Sequence, residues 1–541
     1  SSGHIMCYNG TSLVLAAAAA SGGTPAAGDL STGSGNVALS ANALGSIQAG
    51  ANNNTGVGYN TLSSVTTGDN NTAVGSSSGN TITTGTDNTI LGKETGSKIT
   101  SGYANVAIGN SAMSETNNKT GGYNTAVGFG ASAKLSTGMR NVAIGHYAGC
   151  AMTTGSCNVT IGCDAGKEIT TGGHNVAIGL LALSSAVTNE YAHNVAIGTC
   201  AGKSVTSGRR NVYIGEQAGC ASVTGGSNVG IGNFALCGVP TNGDGYNVAI
   251  GGYTLTCITS GTKNIGIGSS AGKAFTTGEA NIAIGDQAVS TEGGATGDRN
   301  VAIGAQAAQS LTSAEHTIAI GGQAGVCITT GSNNVVIGQA TSEKLTTGGH
   351  NTNLGTSSAK CMTTGSCNTS IGSYALCNIT TGNFNTGLGR GAGCTMTTGS
   401  NNMLLGNGAA PSSVTVSNEI TLGNSSITSL RAQVQSISSL SDKRDKANIK
   451  DLKVGLDFIN DLKPVTFDWD ARDGSKKGIK EVGFIAQDLD EVQQKYNIEE
   501  NLQIVLKSNP DKLEATQGKL IPILVQAIKD LKKEIDELKK K

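Results

Sequence analysis

"NVAIGHYAGCAMTTGSC", residues Asn141 to Cys157, runs directly into "NVTIGCDAGKEITTGGH", residues Asn158 to His174. Laid one over the other, the two segments agree at Asn, Val, Ile, Gly, Ala, Gly, Thr, Thr and Gly, and differ elsewhere. The unit recurs 22 times, its first residue falling from Asn36 to Asn402, with Thr317 in place of asparagine once. Most steps are 17 residues; the first is 18, and those starting at Asn105, Asn175, Asn228 and Asn281 are 19. A period this short excludes helix-pair repeats and is wrong for leucine-rich ones.

Each unit holds two short β-prone runs, Asn-Val-Ala-Ile-Gly and x-[Ile/Leu/Met/Val]-Thr-Thr, with glycines at the turns. Val and Ile alternate with small residues, so both are expected to face one interior. The Ala at position 8 and the aliphatic at position 12 complete a thin core. One coil per unit, stacked in parallel, makes a β-solenoid or β-roll. At ~4.8 Å per stacked strand, the coils build a rod on the order of 100 Å. Such a core is marginal for one chain, which favours a homotrimer burying the remaining apolar faces. The two-residue insertions fit outward loops.

Composition agrees. Of 541 residues 80 are glycine, 13% charged and 4% aromatic, which suits a repetitive β structure better than a globular core. The net charge of −1 offers no electrostatic case for nucleic acid. No segment reaches the ~20 apolar residues of a membrane span, so no membrane insertion is expected. "SSGHIM" (1–6) looks like a tag remnant, and 7–35 reads as an N-terminal cap or linker before the repeat region, 36–410.

The spaced "NVAIGxxA" resembles the heads of trimeric autotransporter adhesins, left-handed parallel β-rolls with shorter units. That resemblance implies the roll and the threefold assembly.

Several columns on the rod carry two readings. The position-1 asparagines either line a ligand groove or cap turns with stacked amides; the second is expected. Only one of the two threonines per unit can face outward, which weakens an ice-binding face. Cys220/Cys237 and Cys377/Cys394 lie one coil apart, within disulfide reach, but small buried hydrophobes are the preferred reading. The 13 cysteines show no CxxC pair. The six histidines form no constellation with carboxylates. No metal site, no cofactor and no glycosidase site is therefore expected in the rod.

Ser441–Lys541 is a different polypeptide, holding 20 of the 36 Lys+Arg and 20 of the 37 Asp+Glu. Before it, residues 411–440 still alternate without the full unit and read as a slimmer β-prism neck. Within it, a helix is expected over 451–462, ended by Pro464. A strand at Val465–Trp469, a turn at "ARDGSKKG" and a strand-to-helix segment in "EVGFIAQDLDEVQQKY" follow, with "LQIVL" as a further strand candidate. In the last helix Ile521, Ile528 and Ile535 fall at a, and Leu524, Leu531 and Leu538 at d, a short coiled coil.

"SDKRDKANIKDL", "LDFINDLKPVTFDW", "GFIAQDLDEV" and "LIPILVQAIKDLKKEI" closely resemble, in that order, the C-terminal intramolecular chaperone of phage tailspikes and tail fibres, the endosialidase-type chaperone. The resemblance covers 441–541. It implies a domain that trimerises three β-rich chains and then releases itself by autoproteolysis. Ser441 matches that family's serine and Lys446 its lysine. The residue types make sense alone: no histidine follows His350, and a desolvated lysine can serve as the base for a serine. Asp442 is expected to position the chain or hold the lysine. Cleavage is expected beside Ser441, at Ser441–Asp442 by preference. The competing reading of "SDKRDK" is a solvated, helix-capping charge run.

The whole chain thus reads as a virion tail fibre, assembled in the host cytoplasm and docked on the tail or baseplate through a missing N-terminus. It would bind a host surface receptor, a glycan by expectation, with no other enzymatic activity. The alternatives are a trimeric bacterial surface adhesin, an enzyme-bearing tailspike and an ice-binding solenoid.

Overall fold

The structure is a computed structural model describing residues 5–8, 13–16, 35–40, 42–185, 187–238, 245–291, 293–431, 433, 441–472, 477–507, 511 and 513–541. The chain divides into two units, Ser1–Ala340 and Thr341–Lys541. It is mainly β, a parallel β-solenoid of 22 turns followed by a small α+β region. Among the described residues no helix is long and apolar enough to cross a membrane.

In the first unit Ile5–Tyr8 pairs antiparallel with Leu13–Ala16, inside the span read as tag and linker. From Val37–Leu39 to Val335–Ile337 each coil then contributes one three-residue strand. The strands stack parallel and in register, with Val142 opposite Val159, Ala143 opposite Thr160 and Ile144 opposite Ile161. In the second unit the same stacking runs from Thr352–Leu354 to Ile420–Leu422.

The asparagines hold the coils together from within. Asn158 is fully buried. Its backbone N–H and Nδ2 both donate to Oδ1 of Asn141 (2.9 and 3.2 Å), and Nδ2 also donates to Gly172 O (2.8 Å). Asn158 Oδ1 in turn accepts from Asn175 N (3.0 Å) and Nδ2 (3.1 Å). The turn-capping role is the observed one; these side chains are closed to any ligand. Glycine at position 5 lets the coils approach: at Gly145 (φ 133°) a Cβ would sit 2.6 Å from Gly162 O.

Two expectations about the coil are corrected. The interior face of the strand is formed by the asparagine and alanine of the Asn-Val-Ala-Ile run, not by its valine and isoleucine. Asn141 and Ala143 are buried, whereas Val142 is half-buried and Ile144 is 39% exposed. A 17-residue coil is so narrow that Ala143, Ala148 and Met152 fill it, and the branched side chains are left outside. The Thr-Thr run is no strand either. Thr170 O accepts from Thr153 N (2.9 Å), Gly155 N (3.3 Å) and Thr153 Oγ1 (3.3 Å); a chain wrapped around one carbonyl cannot be extended. Thr153 is half-buried by this bond and Thr154 points outward, so one threonine per unit is exposed, as expected.

Cys220 and Cys237 are joined in a disulfide, Cα–Cα 5.1 Å, against the preferred reading as unpaired hydrophobes. Cys377 and Cys394 are free thiols. The stacking also outlasts the asparagines. Glu419, 17 residues after Asn402, donates its N–H to Asn402 Oδ1 (2.9 Å), and its carboxylate takes the Ser412 N–H (2.8 Å) and Oγ–H. The start of the expected neck is therefore another coil with Glu in the asparagine place; its last residues, 434–440, lie outside the described ones.

Beyond the solenoid, helix α1 (Leu456–Asp461) is shorter than expected and stops before Pro464. Val465–Asp470 pairs antiparallel with Lys477–Gly483. Helices α2 (Ala486–Lys495) and α3 (Glu499–Leu502) follow. A small antiparallel pair, Val505–Leu506 with Glu514–Ala515, comes next, and then α4 (Ile521–Leu538). Phe458, Leu489, Ile504, Val505, Leu520 and Ile523 form the core. Asp530 on α4 caps the first turn of α1 by accepting from Leu456 N (3.2 Å), satisfying one of a helix's orphan donors.

One insertion coil buries a charge. Lys119 bridges to Ile99, is 2% exposed, and donates Nζ–H to Ala133 O (2.8 Å) and Leu135 O. Burial lowers its pKa to about 7, with nearby Glu115 opposing the shift.

Two outcomes follow. Asn158→Ala strips Asn175 N of its acceptor and leaves Asn175 Nδ2 only its bond to Gly173 O (3.1 Å); the buried N–H left unpaired costs about 1–3 kcal/mol, which lowers the thermal midpoint of the rod. In the unfolded chain Lys119 titrates near ~10.4, so between about pH 7 and 10 the unfolded state binds the extra proton and Lys119 adds stability as pH rises. The melting temperature of wild type relative to Lys119→Met should climb across that window; a flat difference rejects the assignment.

Candidate functional site

The charge-rich segment opens with a tight turn. Residues Lys443–Asp445 form one turn of 3-10 helix, and Asp442 is its N-cap, accepting from Arg444 N (2.8 Å). The same carboxylate takes Arg444 Nη2 (2.7 Å) and Nε (3.1 Å). These bonds hold its pKa below the usual carboxylate range. Asp442 therefore positions the chain and engages Arg444, not Lys446.

The turn has a chemical consequence. It folds the backbone so that Lys446, five residues on, reaches back to Ser441: Nζ lies 2.6 Å from Oγ. The two expected catalytic side chains are brought together within hydrogen-bond reach, the first geometric requirement for a nucleophile and its base. The ammonium donates to the hydroxyl; a neutral amine at the same distance would accept its proton. Both residues are exposed in the single chain. A lysine becomes a base when burial disfavours its charged form, so the geometry is present here and the desolvation is not.

The capping interpretation of "SDKRDK" and the dyad are the same structure: the cap on Asp442 is what closes the distance between Ser441 and Lys446. Sequence reasoning missed Arg444 as the partner of Asp442. The i, i+2 spacing of the two was its available signal.

The remaining expected partner surface is on α4. Its inward face buries Ile523 and Ala527, whereas the a and d residues Ile521, Leu524, Ile528, Leu531, Ile535 and Leu538 are all at least 43% exposed.

Residues 441–498 match the model of the family described as the chaperone of endosialidase. No curated protein and no solved structure matches the chain. The matched segment begins on Ser441 itself and ends just before α3. That match and the solenoid ahead of it fit the tail fibre and endosialidase-chaperone architecture expected from the sequence.

Proposed function

We propose that this chain is a trimeric, receptor-binding tail fibre of a phage, whose C-terminal domain aligns three copies and then cuts itself free. The observation that carries the reading is the 2.6 Å contact between Lys446 Nζ and Ser441 Oγ at the leading edge of the matched segment.

Assembly supplies what the single chain lacks. The apolar stripe of α4 and the Val/Ile column along the solenoid are half-exposed or exposed, and a second and third copy are their occupants. At about 25 cal/mol per Å² of apolar surface removed from water, such stripes favour association. Covering Ser441 and Lys446 at the same time disfavours the ammonium. Ser441 Oγ then passes its proton to Lys446 and forms a bond to a backbone carbonyl carbon. The C–N bond breaks, the leaving amine takes the proton from Lys446, and water hydrolyses the ester. At the Ser441–Asp442 bond, Oγ of the same residue would close a strained four-membered ring, so that bond is reached by a serine from another copy. Cleavage follows assembly in this scheme, and the fibre keeps only chains that folded in register.

Ring pairs at the solenoid surface support a glycan receptor: exposed Tyr103 with exposed Tyr123 (5.1 Å between ring centroids), and half-buried Phe234 with exposed Tyr253 (5.3 Å). Such rings offer flat apolar faces to sugars. The place of action is the virion, after assembly in the host cytoplasm, with attachment to the tail through the N-terminal end.

On a denaturing gel, wild type should give a piece of about 440 residues and one of about 100, while Ser441→Ala and Lys446→Ala stay full length. Mass spectrometry of the new ends separates cleavage after Ser441 from cleavage before it. Wild type that remains intact once assembled removes the protease; a monomer by native mass removes the fibre.

A further inference from the structure

The coil stacking brings together residues that look unrelated in sequence. His146 stands at position 6 of one coil and Cys163 at position 6 of the next, with Asp164 beside it. Asp164 adopts left-handed backbone geometry (φ 55°) and donates its N–H to His146 O (2.9 Å), which draws its side chain alongside the pair. One ligand atom each from His146, Cys163 and Asp164 lie within 4.8 Å of one another, with Nδ1 of His146 3.8 Å from Cys163 Sγ.

We propose that His146, Cys163 and Asp164 bind a borderline divalent transition metal, zinc by chemical class, with a fourth position open to solvent. Zinc bonds of about 2.3 Å to sulfur and about 2.0–2.1 Å to nitrogen place tetrahedral N and S ligands about 3.6 Å apart, close to the observed separation. Thiolate and imidazole select against magnesium and calcium. Two further observations point to a ligand. Oδ1 of Asp164 is buried without a hydrogen bond, with the Lys167 ammonium 3.4 Å away as an ion pair. The His146 ring is held between Phe129, stacked at 5.6 Å, and Tyr147, edge-on at 4.4 Å, so its orientation is set without the metal. The Lys167 ammonium, which a metal displaces from Asp164, and the Phe129 and Tyr147 rings, which it leaves in place, contact the cluster. The site lies on the solenoid, and its test does not depend on cleavage.

The experiment is titration of the full-length, metal-free chain with Co(II), followed by displacement with zinc. One Co(II) per chain should bind with a thiolate-to-metal charge-transfer band and the d–d spectrum of a tetrahedral site, and zinc should bleach both. Cys163→Ser should abolish the charge-transfer band. His146→Ala should weaken binding on the order of 100-fold or more, since loss of even a supporting partner weakens a metal site 10–100-fold. Lys167→Met should tighten it. Cys257→Ser, at another exposed thiol, should change nothing. All of these side chains lie at the coil surface, so circular dichroism of the variants should match wild type. A titration without the charge-transfer band, or a band that survives Cys163→Ser, overturns the proposal.

Discussion

All but one of the 22 repeats begin on a buried asparagine whose amide is bonded inside the stack, Thr317 being the exception. Along the asparagine ladder one oxygen serves two N–H groups of the following coil, and the Nδ2 reaches across to a glycine carbonyl on the far side of its own coil, as in Asn158. A buried polar group left unpaired is expensive, so the low-energy arrangement is the one in which the next coil arrives in register. Hydrophobic burial alone would not enforce this, because an alanine-lined interior tolerates sliding. The ladder explains why the strand can be three residues long and still specify its partner.

The period, the coil count and the location of the charged domain were legible in sequence because they are matters of repetition, which tolerates substitution at any single site. Which face of the strand points inward was not. Alternation along Asn-Val-Ala-Ile is equally compatible with either face, and the branched aliphatics look like the core until the cross-section is known. The interior is small enough that one oversized residue needs room from its neighbours. Tyr213 replaces alanine and is fully buried, its hydroxyl donating to Ser222 Oγ (2.9 Å). It fits against Gly219 and Gly230, where added Cβ atoms would lie 2.4 and 3.2 Å from its ring. A sequence reader sees an aromatic among alanines; only the stacking shows which glycines make space.

The pairing of Ser441 with Lys446 was legible only through the resemblance to endosialidase-type chaperones, since the residues alone read as a solvated capping run, and the structure supplies the turn that brings the two side chains together. Asp442, expected to assist the lysine, instead caps the turn and holds Arg444. Its contribution to Ser441 and Lys446 is conformational, since it curls the backbone through five residues. The cluster at His146, by contrast, was invisible, because metal-ligand spacings in sequence assume a local loop or helix, while here the ligands meet through coil stacking.

Because each asparagine consults only its immediate neighbours, the ladder keeps no record of how many coils there are. Unequal recombination between near-identical repeats that removes or duplicates a whole unit leaves every remaining amide with a partner of the same kind. The length of the solenoid can therefore change in steps of one coil during evolution, while the C-terminal α+β domain stays the same. Departures from the repeat, such as the Cys220–Cys237 pair and buried Lys119, would then serve as landmarks of individual coils, places where the rod could tell one position along its length from another.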